Sequence, residues 1–197
     1  MLMAFRLVYF ALLAYCLLFF AWWTVDLLRQ RAPDYSAPRC RSVSGVLSAF
    51  TRGMLPWRKE SARLYPFAYA GGILYHVATF TSLWVLAFPG LLQKSAFLVP
   101  VLLAGLASGL CLLLKRVLSR HSRMLSQFDD YLSNLLVDIV HASVLLAALG
   151  LVRAFVPYVA TFLVLLYLPF GKLKHCYFFF ASRLLLGAAY GRRGVMI

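Results

Sequence analysis

Apolar residues run in long unbroken stretches along this chain, and polar residues collect in short clusters between them. A helix needs about 20 mostly apolar residues to cross a bilayer. Five stretches reach that length, at 5–28, 66–88, 95–114, 130–151 and 155–182. Such runs are too long for buried strands, so the pattern predicts an all-α bundle of five transmembrane helices, one domain over 1–197. The first run differs from a secretory leader. Its apolar region is too long, no small-residue cleavage site follows, and Trp22-Trp23 stands near its end as an interfacial anchor. It is expected to stay in place as a helix.

The connection 29–65 has a pattern of its own. Val43, Val46, Leu47, Phe50 and Met54 recur at helical spacing, while Arg41, Ser48 and Arg52 fall on other faces. That spacing predicts a short amphipathic helix lying on the membrane surface or under a partner. A basic loop touching anionic lipid fits the same residues equally well. In the third run, Gly105 and Gly109 form a G-x-x-x-G that permits close helix packing.

Composition strengthens the membrane reading. Apolar residues make up 63% of the chain and charged residues 13%, with a mean hydropathy of +0.82. Soluble domains hold about 45–50% and about 25%. A self-contained soluble enzyme, a secreted domain and a disordered chain are thereby excluded. The net charge of +14 raises the question of nucleic acid, which the placement of the charges answers. One side of the spans carries Arg29, Arg31, Arg39, Arg41, Arg52, Arg58, Lys59 and Arg63, then Lys115, Arg116, Arg120 and Arg123. Lys172, Lys174, Arg183, Arg192 and Arg193 complete that side, and the other has only Arg6, Lys94 and Arg153. By the positive-inside rule the N-terminus is outside and the C-terminus cytoplasmic. No helix-turn-helix, zinc-finger or RNA-binding motif accompanies the charges, so no nucleic-acid partner is expected. Cys16, Cys40, Cys111 and Cys176 are scattered without a C-x-x-C, which gives no zinc site or redox pair.

Function should lie with the few polar groups inside the spans. His121 falls in the basic loop 115–127, whereas His76, His141 and His175 are intramembrane. His76 is ten residues into the second run, about 15 Å deep at 1.5 Å per residue. His175 is seven residues before the end of the fifth, about 10 Å deep by the same rise. Two imidazoles at matching depth on antiparallel helices are what a haem iron needs for axial ligation. Gly72 and Gly171 each precede a histidine by one turn and leave room for a flat macrocycle. Lys172, Lys174 and Arg183 are placed to neutralise propionates, and Phe178 and Phe179 to pack on the ring. The plainer alternative is that each histidine only hydrogen-bonds within the bundle. Asp138 and His141 share one helix face in the fourth run. They suit a proton-accepting quinol site, one ligand of a second haem, or a structural hydrogen bond.

Other chemistries lack their motifs. There is no H-E-x-x-H, no G-x-x-x-x-G-K-[ST] and no G-x-S-x-G. With six acidic residues, of which Asp138 alone lies deep in a span, a carboxylate-lined cation pathway is not expected. No internal duplication of the transporter kind is present.

Leu168-Pro169-Phe170-Gly171-Lys172-Leu173-Lys174-His175, the aromatic run to Phe180 and Ser182-Arg183 together resemble the last helix of the respiratory nitrate reductase gamma-subunit family. The histidine of the second run and Asp130-Tyr131-Leu132 extend the resemblance over the five-helix core. Gly191-Arg192-Arg193-Gly194 is similar to a branch of cytochrome b subunits that accompany heterodisulfide-reductase-like iron–sulfur proteins. The resemblance implies a prokaryotic cytoplasmic-membrane cytochrome b. Such a subunit passes electrons between quinone, menaquinone in this family, and a cytoplasmic iron–sulfur subunit, beside other membrane subunits. It further implies that His76 and His175 ligate the haem b nearer the cytoplasm. The family's second histidine pair is absent, because Leu86 and Pro157 stand at those positions. At least one haem is therefore expected. The alternative from another class is a haem-free membrane scaffold that anchors a larger complex.

Overall fold

The computed structural model describes residues 1–30, 42–58, 60–91 and 97–194. Arg31, Arg39, Cys40, Arg41, Lys59 and Lys94, on which part of the charge and cysteine reading rests, lie outside the described residues. Among those described the chain is all-helical, with no strand. The helices are α1 (Leu2–Arg29), α2 (Ser42–Phe50), α3 (Glu60–Leu64), α4 (Pro66–Ala87), α5 (Leu98–Leu118), α6 (Arg120–Leu125), α7 (Phe128–Ala148), α8 (Val156–Tyr167) and α9 (His175–Arg192).

Four of them, α1, α4, α5 and α7, are long and apolar enough to cross a membrane. The expected fifth span is not one helix. Its α8 portion has 12 residues and is about 18 Å long, against about 30 Å of hydrocarbon. Pro169 cannot donate a backbone hydrogen bond, and its ring crowds the carbonyl one turn back. The chain instead closes with Phe170 and Gly171 both donating to the Tyr167 carbonyl, and a 3₁₀ turn over Lys172–Lys174 leads into α9. If this broken pair counts as one crossing, the spans number five. The bundle is thus a multi-pass membrane architecture.

The chain divides into two compact units. The first comprises Met1–Leu17 and Ala70–Leu173. Its core joins Tyr9 and Cys16 of α1 to Val85 and Leu86 of α4, Leu102 of α5, Val140 and Val144 of α7, and Tyr158 and Leu165 of α8. Polar atoms in this core are aimed at backbone carbonyls: Tyr9 donates to Leu83 at 2.7 Å, Tyr158 to Leu86 at 2.8 Å and Cys16 to Leu165 at 3.3 Å. The most enclosed span is α7, and it buries its polar side. Ser133, Asn134, Asp138, His141 and Ser143 all face inward. Leu135, Ile139 and Leu146 of the same helix are exposed, the reverse of a water-soluble helix. The G-x-x-x-G of α5 lies against α4 and α7. A Cβ on Gly105 would collide with Ala78, and one on Gly109 with Tyr75 and Asp138.

The second unit comprises Leu18–Tyr69 and Lys174–Ile197. The amphipathic segment does form a helix, α2, but its buried stripe is not the apolar one. Gly45, Ser48 and Ala49 are buried, while Val43 and Leu47 are exposed. The reason is on α9, where Gly187 and Gly191 bring the two backbones together. A Cβ on Gly45 would strike the Gly187 carbonyl and the Gly191 backbone, and one on Gly187 would stand 2.9 Å from Val46 Cα. Gly45-x-x-x-Ala49 thus meets Gly187-x-x-x-Gly191, a small-residue crossing in which dispersion replaces side-chain interdigitation. Beside it, Trp23 packs on Tyr177 and Phe178 with centroids at 5.4 and 5.2 Å, and Thr24 Oγ1 lies 2.6 Å from the Tyr177 hydroxyl.

Gly187→Leu should therefore part α2 from α9, at a cost of about 3 kcal/mol from overpacking. Val43→Ala on the exposed face should leave stability unchanged. Thermal melts of the two variants in detergent, followed by circular dichroism, check this.

Candidate functional site

His76 lies ten residues into α4, and its ring is exposed. Its Nδ1 is 2.6 Å from the carbonyl oxygen of Gly72. A carbonyl only accepts, so the proton sits on Nδ1 and the lone pair on Nε2. A Cβ at Gly72 would meet nothing within 4 Å, so there is open space one turn before the imidazole. A histidine that ligates haem iron uses this tautomer, with its second nitrogen held by a backbone carbonyl.

The residues expected on the other side of such a group are differently placed. His175 is the first residue of α9, just past the break in the α8–α9 pair, and it is exposed. It belongs to the second unit and His76 to the first. The space beside Gly171 is taken by the Tyr167 ring, with which a Cβ there would collide. Lys172 does not reach outward to an anion. Its Nζ donates to Asp130 Oδ2 at 2.6 Å, while Arg116 from the end of α5 holds Asp130 Oδ1 at 2.9 Å. Asp130 Oδ2 also accepts from the Gln127 backbone N–H at 2.9 Å, which closes the first turn of α7. Arg183 is likewise committed. Its guanidinium donates to the Ala49 carbonyl in the last turn of α2 and lies over the Phe179 ring at 4.8 Å. It thereby caps α2 at the negative end of that helix. Phe178 packs on Trp23. Lys174 stands at the N-cap of α9.

The positions where the resembled family carries its second histidine pair are filled by core. Leu86 is 0% exposed, Pro157 is fully buried, and Tyr158 donates to the Leu86 carbonyl across them.

Asp138 and His141 do share a face, and both are buried, at 4% and 0% exposure. Among the described residues no hydrogen bond joins the two. Each ring or carboxylate turns to another partner. His141 Nε2 is 3.1 Å from Thr79 Oγ1, and its ring meets Tyr75 edge-on with centroids 5.1 Å apart. Asp138 Oδ2 accepts from Asn134 Nδ2 at 2.9 Å, and Asn134 Nδ2 also reaches the Tyr75 hydroxyl at 3.1 Å and the Gly109 carbonyl at 3.3 Å. Tyr75 donates to the Asn134 carbonyl at 3.0 Å. A polar network thus ties α4, α5 and α7 together, and Gly109 supplies the room for its carboxylate. With α4, α5 and α7 closed round its ring, His141 offers no open side to a macrocycle, unlike His76. Tyr75, Thr79 and Asn134 were missed at the level of sequence. Their signal was the four-residue spacing Tyr75/Thr79 on α4 and Asn134/Asp138 on α7, which puts each pair on one helix face. Among the described residues no cluster of three or more His, Cys, Asp or Glu side chains has a metal-binding arrangement.

Asp130→Asn should weaken the junction of α5, α7 and Lys172 by about 1 kcal/mol. The loss should shrink in high salt, because the two cations are partly exposed and screened. Denaturation midpoints of wild type and variant at two ionic strengths check it. No protein-family model matches the chain, and no curated protein or solved structure matches it.

Proposed function

We propose that this chain is the membrane subunit of a respiratory redox complex, a cytochrome b of the nitrate reductase gamma-subunit-like kind. It passes electrons between membrane quinone, menaquinone by that resemblance, and a cytoplasmic iron–sulfur subunit of heterodisulfide-reductase type. The observation that carries this reading is His76. An imidazole in the middle of a membrane span is costly against hydrocarbon and marks a functional position by default. The Gly72 carbonyl fixes its proton, and the open face at Gly72 admits a flat group. A bound haem would supply a one-electron centre. The chain's part is to present Nε2 of His76 and to offer His175 as the second ligand. With Lys172 and Arg183 engaged elsewhere, the propionate-neutralising role falls to Lys174. The packed Leu86 and Pro157 favour one haem per chain rather than two.

The orientation belongs to the same proposal, with the N-terminus outside and the C-terminus in the cytoplasm of a prokaryote. Arg52, Arg58, Arg63, Arg120 and Arg123 then lie on the face where the iron–sulfur partner docks. The rival reading is a haem-free anchor for a larger complex. What favours it is the Tyr167 ring beside Gly171, which fills the room a macrocycle would need on that side.

The reduced-minus-oxidised spectrum of the purified membrane complex decides between them. One b haem per chain, lost in His76→Leu, is the expected result. A colourless preparation, or a haem spectrum unchanged in His76→Leu, would leave the anchor. A C-terminal reporter that is active only in the cytoplasm checks the orientation.

A further inference from the structure

The network around Asp138 leaves two buried atoms without a hydrogen-bond partner among the described residues, Asp138 Oδ1 and His141 Nδ1. Their identities follow from the hydrogens around them. Thr79 donates its one hydroxyl hydrogen to the Tyr75 carbonyl at 2.8 Å. The Thr79 oxygen therefore receives from His141, which puts that imidazole's proton on Nε2. Nδ1 is then a bare lone pair. Asp138 Oδ1 is a second buried acceptor without a geometric partner, while Asn134 donates to the other oxygen and the Tyr75 hydroxyl, which also interacts with this carboxylate, donates to the Asn134 carbonyl at 3.0 Å. Two buried acceptor atoms without a partner among the described residues thus stand three residues apart on one face of a membrane helix.

We propose that Asp138 and His141 form a proton-binding site buried among α4, α5 and α7, which takes up a single proton and holds it within the membrane-spanning part of the protein. Uptake forms an O–H bond at Asp138 Oδ1, breaks one in a hydronium ion and releases water. It also creates the missing donor on the face that carries His141 Nδ1. A hard cation fits less well, because an imidazole nitrogen is a poor ligand for it, and among the described residues no third His, Cys, Asp or Glu joins the pair to hold a transition metal.

The surroundings leave the proton as the balancing charge. From α4 the titratable groups are Tyr75 and, beside it, His76, whose Nδ1 is turned to Gly72. α5 presents Gly105 and Gly109 to the site. Its cations Lys115 and Arg116 come after them in its last turn, and Arg116 is paired with Asp130. On α7 itself, Asp130 is held by Arg116 and Lys172. From α8, Tyr158 donates to Leu86 and Tyr167 lies 3.5 Å from Ser133. Among the described residues no cation forms an ion pair with Asp138. The site stands on its own geometry, whether or not a haem is held at His76.

Infrared spectroscopy of the full chain in lipid nanodiscs, recorded across pH in potassium buffer, tests it. The expected result is a protonated-carboxyl C=O band that titrates with pH and disappears in Asp138→Asn. Its midpoint should move by about one pH unit or more in His141→Gln. Three results would overturn the proposal: no carboxyl band at any pH at which the helices persist, a band that survives Asp138→Asn, or a midpoint unmoved in His141→Gln. Bleaching of the band by sodium at fixed pH would overturn it too, by making the site a cation site. Should Asp138→Asn fail to fold, Asp138→Glu decides: a titrating band whose frequency shifts in that variant supports the assignment, and one that is unmoved refutes it.

Discussion

Inside hydrocarbon there is no water to satisfy a polar group, so every donor and acceptor that enters must find its partner within the protein. This constraint organises the first unit. It explains why α7 turns its serines, asparagine, aspartate and histidine inward while its leucines face out. It also explains why buried tyrosines on α1, α4 and α8 each end on a backbone carbonyl. A core built only of leucine and valine would close the same helices without choosing their register. The Asn134–Asp138–Tyr75 network chooses it, because Asn134 reaches α4 and α5 from one position.

In the second unit the contact is made through the backbone, and the close approach of two main chains is the source of attraction. Gly45 and Ala49 on α2 and Gly187 and Gly191 on α9 let the two main chains come within contact of each other. Arg183 then adds a charged cap where α2 ends. The Asp130 cluster does the equivalent at the first turn of α7, where one carboxylate draws in cations from α5 and from Lys172.

What was legible in the sequence was whatever length and hydrophobicity encode. The four unbroken spans follow from apolar runs of the right size, and α2 from its spacing. The broken fifth span was not legible from hydropathy, because Leu168 to Gly171 are as apolar as their neighbours and only Pro169 marks the interruption. The face of α2 that packs on α9 was not legible, because glycine and alanine carry little hydrophobic signal, yet they decide the packing. Asp138 and His141 stood out as charges in an apolar run. Their partners did not, since a tyrosine, a threonine or an asparagine in a membrane helix is ordinary until the fold shows what it faces. Lys172 and Arg183 looked like groups waiting for an external anion. Both are consumed internally, which only tertiary contacts reveal.

The pairing of α2 with α9 also fixes an order of events during biogenesis. The Arg183–Ala49 contact joins residues 134 positions apart, and synthesis proceeds at about 5–20 residues per second. The segment that holds α2 therefore leaves the ribosome some 7 to 27 seconds before its partner exists, by that rate. Throughout that interval its small-residue stripe is open and its last carbonyls lack the arginine that will cap them. A nascent chain in this state exposes that stripe, and arrival of α9 ends the exposure. The packing of α2 is thus completed only after α9 has been made, so a chain interrupted before α9 carries an unpaired α2.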